Sequence, residues 1–129
     1  MMMPFRSILL VEDSPLTRRM IHAMLLQHGE YDVLEARDGS EALHLLETQI
    51  VDLVLSDLHM VPMDGHTLRE AIRQQPKLAH LPFVMMTAQH CPDSIRRAVG
   101  DQRSHYLAKP FSRGQLFGIL DRALARWAA

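Results

Sequence analysis

Short apolar runs, each closed by polar or turn-forming residues, recur along this chain at Ile8–Val11, Asp32–Ala36, Val51–Asp57, Leu81–Thr87 and His105–Ala108. Runs of this length predict strands buried on both faces, as in a parallel sheet. The stretches between them carry apolar residues at helical spacing. Ser14-Pro15 predicts a helix start, with serine as N-cap and proline in the first position, and Gly29 a stop. Leu16, Met20, Ala23 and Met24, then Gln27, form the expected stripe of that helix. Asp38-Gly39 is a turn, and Ser40–Thr48 a second helix with Ala42, Leu45 and Leu46 inward. Gly65–Gln75 is a third, carrying Leu68, Ala71 and Ile72 and ended by Pro76. A helix from Pro92 to about Gly100 has only Ile95, Ala98 and Val99 as its apolar face. The last helix is opened by a Ser112–Gln115 capping box, with Leu116, Ile119, Leu120, Ala123, Leu124 and Trp127 on one side. Gly114 and Gly118 each cost it about 1 kcal/mol against alanine, so packing must hold it.

Strands alternating with helices predict an α/β fold: a flavodoxin-like (βα)5 three-layer sandwich around a parallel five-stranded sheet of order 2-1-3-4-5. In that order strands 1 and 3 flank the topological switch point, and ligands bind at the carboxyl edge. Strand 1 ends on Glu12-Asp13 and strand 3 on Asp57. Thr87 ends strand 4 and Lys109 follows strand 5, at the same edge.

The chain has 129 residues, the size of one domain, with an expected ordered core of about 6–127. A net charge of −1 argues against nucleic acid or an anionic membrane as partner. No apolar run approaches a membrane span, and the N-terminus lacks a signal-peptide layout. The single cysteine, Cys91, allows no internal disulfide, and the expected compartment is the cytoplasm.

Three converging carboxylates repel one another, so they need raised pKa values or a cation. A hard divalent ion such as Mg²⁺ suits an all-oxygen set. Lys109 and the Thr87 hydroxyl could then bind phosphoryl oxygens while the remaining carboxylate attacks. The residues therefore suit phosphoryl transfer onto an aspartate.

Glu12-Asp13, Ser56-Asp57, Met63-Asp64-Gly65, Thr87-Ala88 and Tyr106-x-x-Lys109-Pro110-Phe111, in this order, resemble the receiver domain of bacterial two-component response regulators of the chemotaxis-regulator type. The resemblance implies that Asp57 is the phosphoacceptor, with Asp13, Asp57, the backbone carbonyl of His59 and, directly or through water, Glu12 around Mg²⁺. It implies that Lys109 pairs with the phosphoryl group, Thr87 moves toward it and Tyr106 turns inward behind it. A cis Lys109–Pro110 peptide is expected. Phosphorylation would shift the face formed by the helix over 92–100, the fifth strand and the last helix, where Arg96, Arg97, Arg113, Arg122 and Arg126 stand. The implied donor is a sensor histidine kinase or a histidine phosphotransfer protein, and the implied target a downstream protein or output domain. The implied state is a monomer or a weak phosphorylation-dependent dimer. Such a domain is not an enzyme beyond self-phosphorylation from small phosphodonors and self-dephosphorylation.

In the family, His59 and Gln89 occupy positions that flank the hydrolytic water and tune phosphoryl lifetime. The sequence departs from the family at Pro62, one position later than usual, which alters the loop path around Val61. An Ala-Gly pair common before the fifth strand is also absent. Other readings are the same module within a larger regulator, hybrid kinase or cyclic-dinucleotide enzyme, and a haloacid-dehalogenase-type phosphatase. The phosphatase would need an aspartate where His59 stands. A flavin or nucleotide site would need a glycine-rich loop where Glu12-Asp13-Ser14-Pro15 stands.

Overall fold

A computed structural model describes residues 5–88 and 102–128, with side chains of the last helix described to residue 125. The helix expected over 92–100 lies outside these residues, as do Gln89, His90 and Cys91, and so does the side chain of Trp127. The strands are β1 (Arg6–Val11), β2 (Tyr31–Ala36), β3 (Leu53–Asp57), β4 (Phe83–Ala88) and β5 (Ser104–Lys109). The helices are α1 (Pro15–Gln27), α2 (Gly39–Thr48), α3 (Gly65–Arg73) and, closing the chain, α4 (Arg113–Ala128). All strand pairs are parallel, in the order β2-β1-β3-β4-β5, as expected from the alternation of elements.

Side chains alternate across the sheet and build two apolar layers. Ile8, Leu10, Leu53, Leu55, Val84 and Met86 pack with Ile21 and Leu25 of α1 and with Leu116, Leu120 and Leu124 of α4. Leu9, Val11, Val54, Phe83 and Met85 pack on the other side with Ala42 and Leu46 of α2 and Leu68 and Ile72 of α3. The Ser112–Gln115 capping box forms, with reciprocal bonds of 2.8 and 3.1 Å. Gly29, at φ +86°, ends α1 in the left-handed region.

The phase of α1 differs from the expected stripe. Leu16 and Met20 are 68% and 59% exposed, whereas Ile21 and Leu25 are buried and Met24 is half-buried. This helix is apolar in more than one phase, so periodicity alone admits two inward faces. Tertiary anchors select one: Arg18 and His22 both reach Glu35 of β2, which turns the Ile21–Leu25 side to the sheet.

Tyr31, buried beneath α4, stacks on His28 at 4.2 Å, and His28 meets the edge of Phe117 at 4.8 Å. Burial, then the neighbouring Asp121 carboxylate, pushes the Tyr31 phenol up from 10.0 to about 12. A raised folded-state pKa gives stability that is complete below the unfolded value and disappears as pH climbs through the folded one. Stability should therefore fall between pH 10 and about 12. Tyr31→Phe should lose less over that window in urea titrations at stepped alkaline pH. An equally steep fall in the variant would assign the loss to other groups.

Candidate functional site

The site is built where β1 and β3 end. Glu12 leaves β1 with its N–H donating to Ala36 O at 3.1 Å. Its carboxylate accepts from Ser14 N at 3.1 Å, while Ser14 Oγ caps α1 by accepting from Thr17 N at 3.3 Å. The strand therefore passes into a helix with only the acidic pair and the Ser14 cap between, and both acids stay at the sheet edge. Arg18 fixes this turn from α1, donating to the Glu12 carbonyl at 2.7 Å and to Glu35 at 3.3 Å.

Asp57 is the last residue of β3, and Leu58 N still pairs with Met86 O at 2.9 Å. The following loop folds back so that Gly65 N donates to Leu58 O at 2.9 Å. A Cβ on Gly65 would lie 2.7 Å from the Asp57 carbonyl oxygen, so only glycine permits this approach. Asp64 caps α3 by accepting from Thr67 N at 2.8 Å.

Glu12, Asp13 and Asp57 each offer a carboxylate oxygen, all within 4.8 Å of one another. Glu12 and Asp57 are buried and Asp13 is exposed. Lys109 Nζ stands 3.0 Å from Asp57 Oδ1 and 3.3 Å from Glu12 Oε1. Burial raises the Glu12 pKa, and nearby Asp57 pushes the same way, against the opposing pull of the Ser14 N–H and of Lys109. Burial pulls Lys109 down, yet its hydrogen bond to Asp57 and the fields of Asp57 and Glu12 outweigh that, leaving it raised. Asp13, His59, Met60, Val61 and Asp64 line an open cleft of about 340 Å³ beside the carboxylates. Among the described residues, one ammonium against three carboxylates leaves a surplus of negative charge, and the donors are hard oxygens. This composition fits a divalent cation such as Mg²⁺.

Thr87 is buried near the end of β4, opposite Ala108, and Ala88 pairs with Lys109. The register thus puts Thr87 and Lys109 at one edge with the acids. Tyr106 pairs with Met85, further back along β5, and its hydroxyl accepts from Arg69 at 2.9 Å. The Lys109–Pro110 peptide is cis, and so is Val61–Pro62, in the loop where the proline is displaced. The sequence reading missed three polar residues: Arg18, which braces the acidic turn, and the buried pair His66 and Arg69 on α3. The missed signal was their i, i+3 spacing on one face of α3, leading from His66 through Arg69 to Ile72.

A family model described as a response regulator receiver domain matches residues 8–121. A chemotaxis protein CheY of Pseudomonas aeruginosa is 36% identical over 119 residues, covering 92% of this chain and 96% of that protein. The crystal structure of CheY4 of Vibrio cholerae superposes with a TM-score of 0.85 at 31% identity, over 93% of this chain and 99% of that one. A receiver domain of a sensor histidine kinase of Pseudomonas aeruginosa, with a magnesium ion coordinated in its active site cleft, is 34% identical, with a TM-score of 0.83 over 94% and 98% of the two chains.

Proposed function

The chain belongs to the family of response regulator receiver domains, phosphoacceptor signalling switches rather than classical enzymes, and on that premise we propose that Asp57 takes the phosphoryl group. The observation that carries this is the Lys109 ammonium 3.0 Å from Asp57 Oδ1, with oxygens of Glu12 and Asp13 alongside. Asp13, Asp57, the His59 carbonyl and Glu12, directly or through water, would hold Mg²⁺, which would supply the positive charge that offsets these carboxylates and the phosphoryl oxygens. An Asp57 carboxylate oxygen attacks the phosphorus of a phosphohistidine on a sensor histidine kinase or histidine phosphotransfer protein. The new P–O bond replaces the P–N bond, and the departing imidazole takes a proton. Small phosphodonors serve in the same way, and attack by water reverses the state, with His59 lining the cleft.

The phosphoryl group adds about −1.5 to −2 charges at one point. Lys109 follows that charge, Thr87 donates its hydroxyl to it, and Tyr106 settles inward behind Thr87. The face of β5 and α4 then changes its affinity for a downstream protein or output domain. We read the chain as one receiver domain of the cytoplasm. It acts as a monomer or a weak phosphorylation-dependent dimer, without binding nucleic acid or membrane. Among the described residues no helix is long and apolar enough to cross a membrane.

Intact-mass spectrometry after incubation with acetyl phosphate tests the reading. One phosphoryl mass should be added only when Mg²⁺ is present. Borohydride, which reduces an acyl phosphate to an alcohol, should then leave homoserine at position 57 in the peptide map. A modification mapped elsewhere, or no adduct with Mg²⁺, would overturn the assignment.

A further inference from the structure

We propose that Arg69 is a positioning residue for the switch, holding Tyr106 turned toward α3 and so favouring the phosphoryl-responsive arrangement before a phosphoryl group arrives. This rests on the reading of Tyr106 as the switch aromatic. Arg69 lies on α3 and is only 4% exposed. A guanidinium so placed must donate hydrogen bonds, because leaving it bare in the interior is costly. One amino group donates to the Tyr106 hydroxyl at 2.9 Å and the other lies 3.1 Å from His66 Nδ1. The guanidinium can only donate, so Nδ1 accepts in this geometry. Neither acceptor is an anion, so the phenol oxygen receives a charge-assisted bond from a cation whose field these two partners do not cancel.

Tyr106 is fixed at two points. Its ring packs against the apolar layer beneath α2 and α3, and its hydroxyl is held by Arg69. The helix that carries Arg69 is itself tied to the acceptor loop. Gly65 N donates to Leu58 O at 2.9 Å, and the Gly65 backbone comes so close to Asp57 that no Cβ could fit. Arg69 follows Gly65 by about one helical turn. A change in the loop after Asp57 therefore moves α3, Arg69 and the Tyr106 hydroxyl together. This gives a connection from acceptor to β5 that does not pass through Thr87.

The test uses the chain labelled with 3-fluorotyrosine, which reports Tyr31 and Tyr106, the former assigned with Tyr31→Phe. Fluorine NMR and beryllofluoride titration with Mg²⁺ are compared for wild type, Arg69→Met, Arg69→Lys and Tyr106→Phe. In the wild type the Tyr106 signal should already lie near its beryllofluoride-bound position. Arg69→Met should move it away and weaken beryllofluoride binding about tenfold, the fold-change of one charge-assisted hydrogen bond. Arg69→Lys should recover part of both. In a Tyr106→Phe background Arg69→Met should change affinity no further, because no hydroxyl remains to be held. An unmoved signal with unchanged affinity overturns the proposal. So does an equal loss of affinity in the Tyr106→Phe background, which would make Arg69 merely structural. Should Arg69→Met unfold the chain, Arg69→Lys still decides by the same two readouts and Tyr106→Phe by affinity alone. Failure of the wild type to bind beryllofluoride would instead count against Asp57 as acceptor, while the fluorine signals of wild type and Arg69→Met would still judge the latch.

Discussion

Asp57→Asn is expected to abolish the phosphoryl adduct and, without metal, to make the fold more stable by about 1–2 kcal/mol. The two effects have separate causes. A carboxamide occupies nearly the same space but lacks the anionic oxygen that attacks phosphorus. The stability gain comes from charge. Asp57 is buried beside Glu12 and Asp13, and among the described residues Lys109 is the ammonium paired there. Neutralising Asp57 removes a desolvated charge and its repulsion of Glu12, while the amide oxygen can still accept from Lys109. Urea unfolding in chelator should show the gain. Mg²⁺ should stabilise the variant less than the wild type, because a ligand has been weakened. A variant less stable than wild type in chelator would mean that the Lys109–Asp57 pair outweighs the carboxylate repulsion.

Lys109→Met has the opposite sign. It leaves Glu12 and Asp57 facing each other in a buried place without a cation. Removing one partner of such a pair costs about 3 kcal/mol, discounted to about 2 because Lys109 is itself partly solvated. Saturating Mg²⁺ should restore most of this, since a ligand at a hundredfold its dissociation constant contributes about 2.7 kcal/mol. The variant should therefore depend on metal far more than the wild type does. The folded-state pKa of Lys109 is raised above 10.5, so its contribution is complete below that value and is lost as pH rises through the raised one. Near neutrality the whole effect is visible. Thermal melts with and without Mg²⁺ provide the measurement. A Lys109→Met protein as stable as wild type in chelator would show that protonation of Glu12 already relieves the cluster. Phosphorylation of the variant should also be slower, because no ammonium meets the incoming phosphoryl oxygens.

The sheet and the acidic edge were legible because both are written in short, local signals. Apolar runs ending on Glu12-Asp13 and on Asp57 state both where a strand lies and what it delivers to its end. Ser14, Asp38, Asp64 and Ser112 all cap helices where turn chemistry places them. The phase of α1 was illegible from periodicity, because Leu16, Met20, Ile21, Met24 and Leu25 satisfy more than one stripe. What decides it is non-local: the grip of Arg18 and His22 on Glu35, across from α1 to β2. The His66–Arg69–Tyr106 chain was missed for a related reason. Polar residues on α3 read as a solvated face until a residue far along the sequence arrives to accept their hydrogen bonds. Tyr106 was singled out, but nothing near it in sequence names Arg69 as its partner.

The strand order has a consequence for how such a protein can change over time. The acids, the proposed acceptor and the brace from Arg18 all come from the part of the chain that ends with α3, from the ends of β1 and β3 and from α1. The hydroxyl, the ammonium and the tyrosine come from β4 and β5. Within the sheet the two groups meet across a single ladder, which runs from Val54–Phe83 to Asp57–Met86. Substitutions on one side of that ladder alter how readily the mark is written and how long it lasts. Substitutions on the other, Thr87 and Lys109 apart, alter who reads it. Memory and audience are thus inherited as nearly separate traits, and a lineage can acquire a new listener without relearning the chemistry.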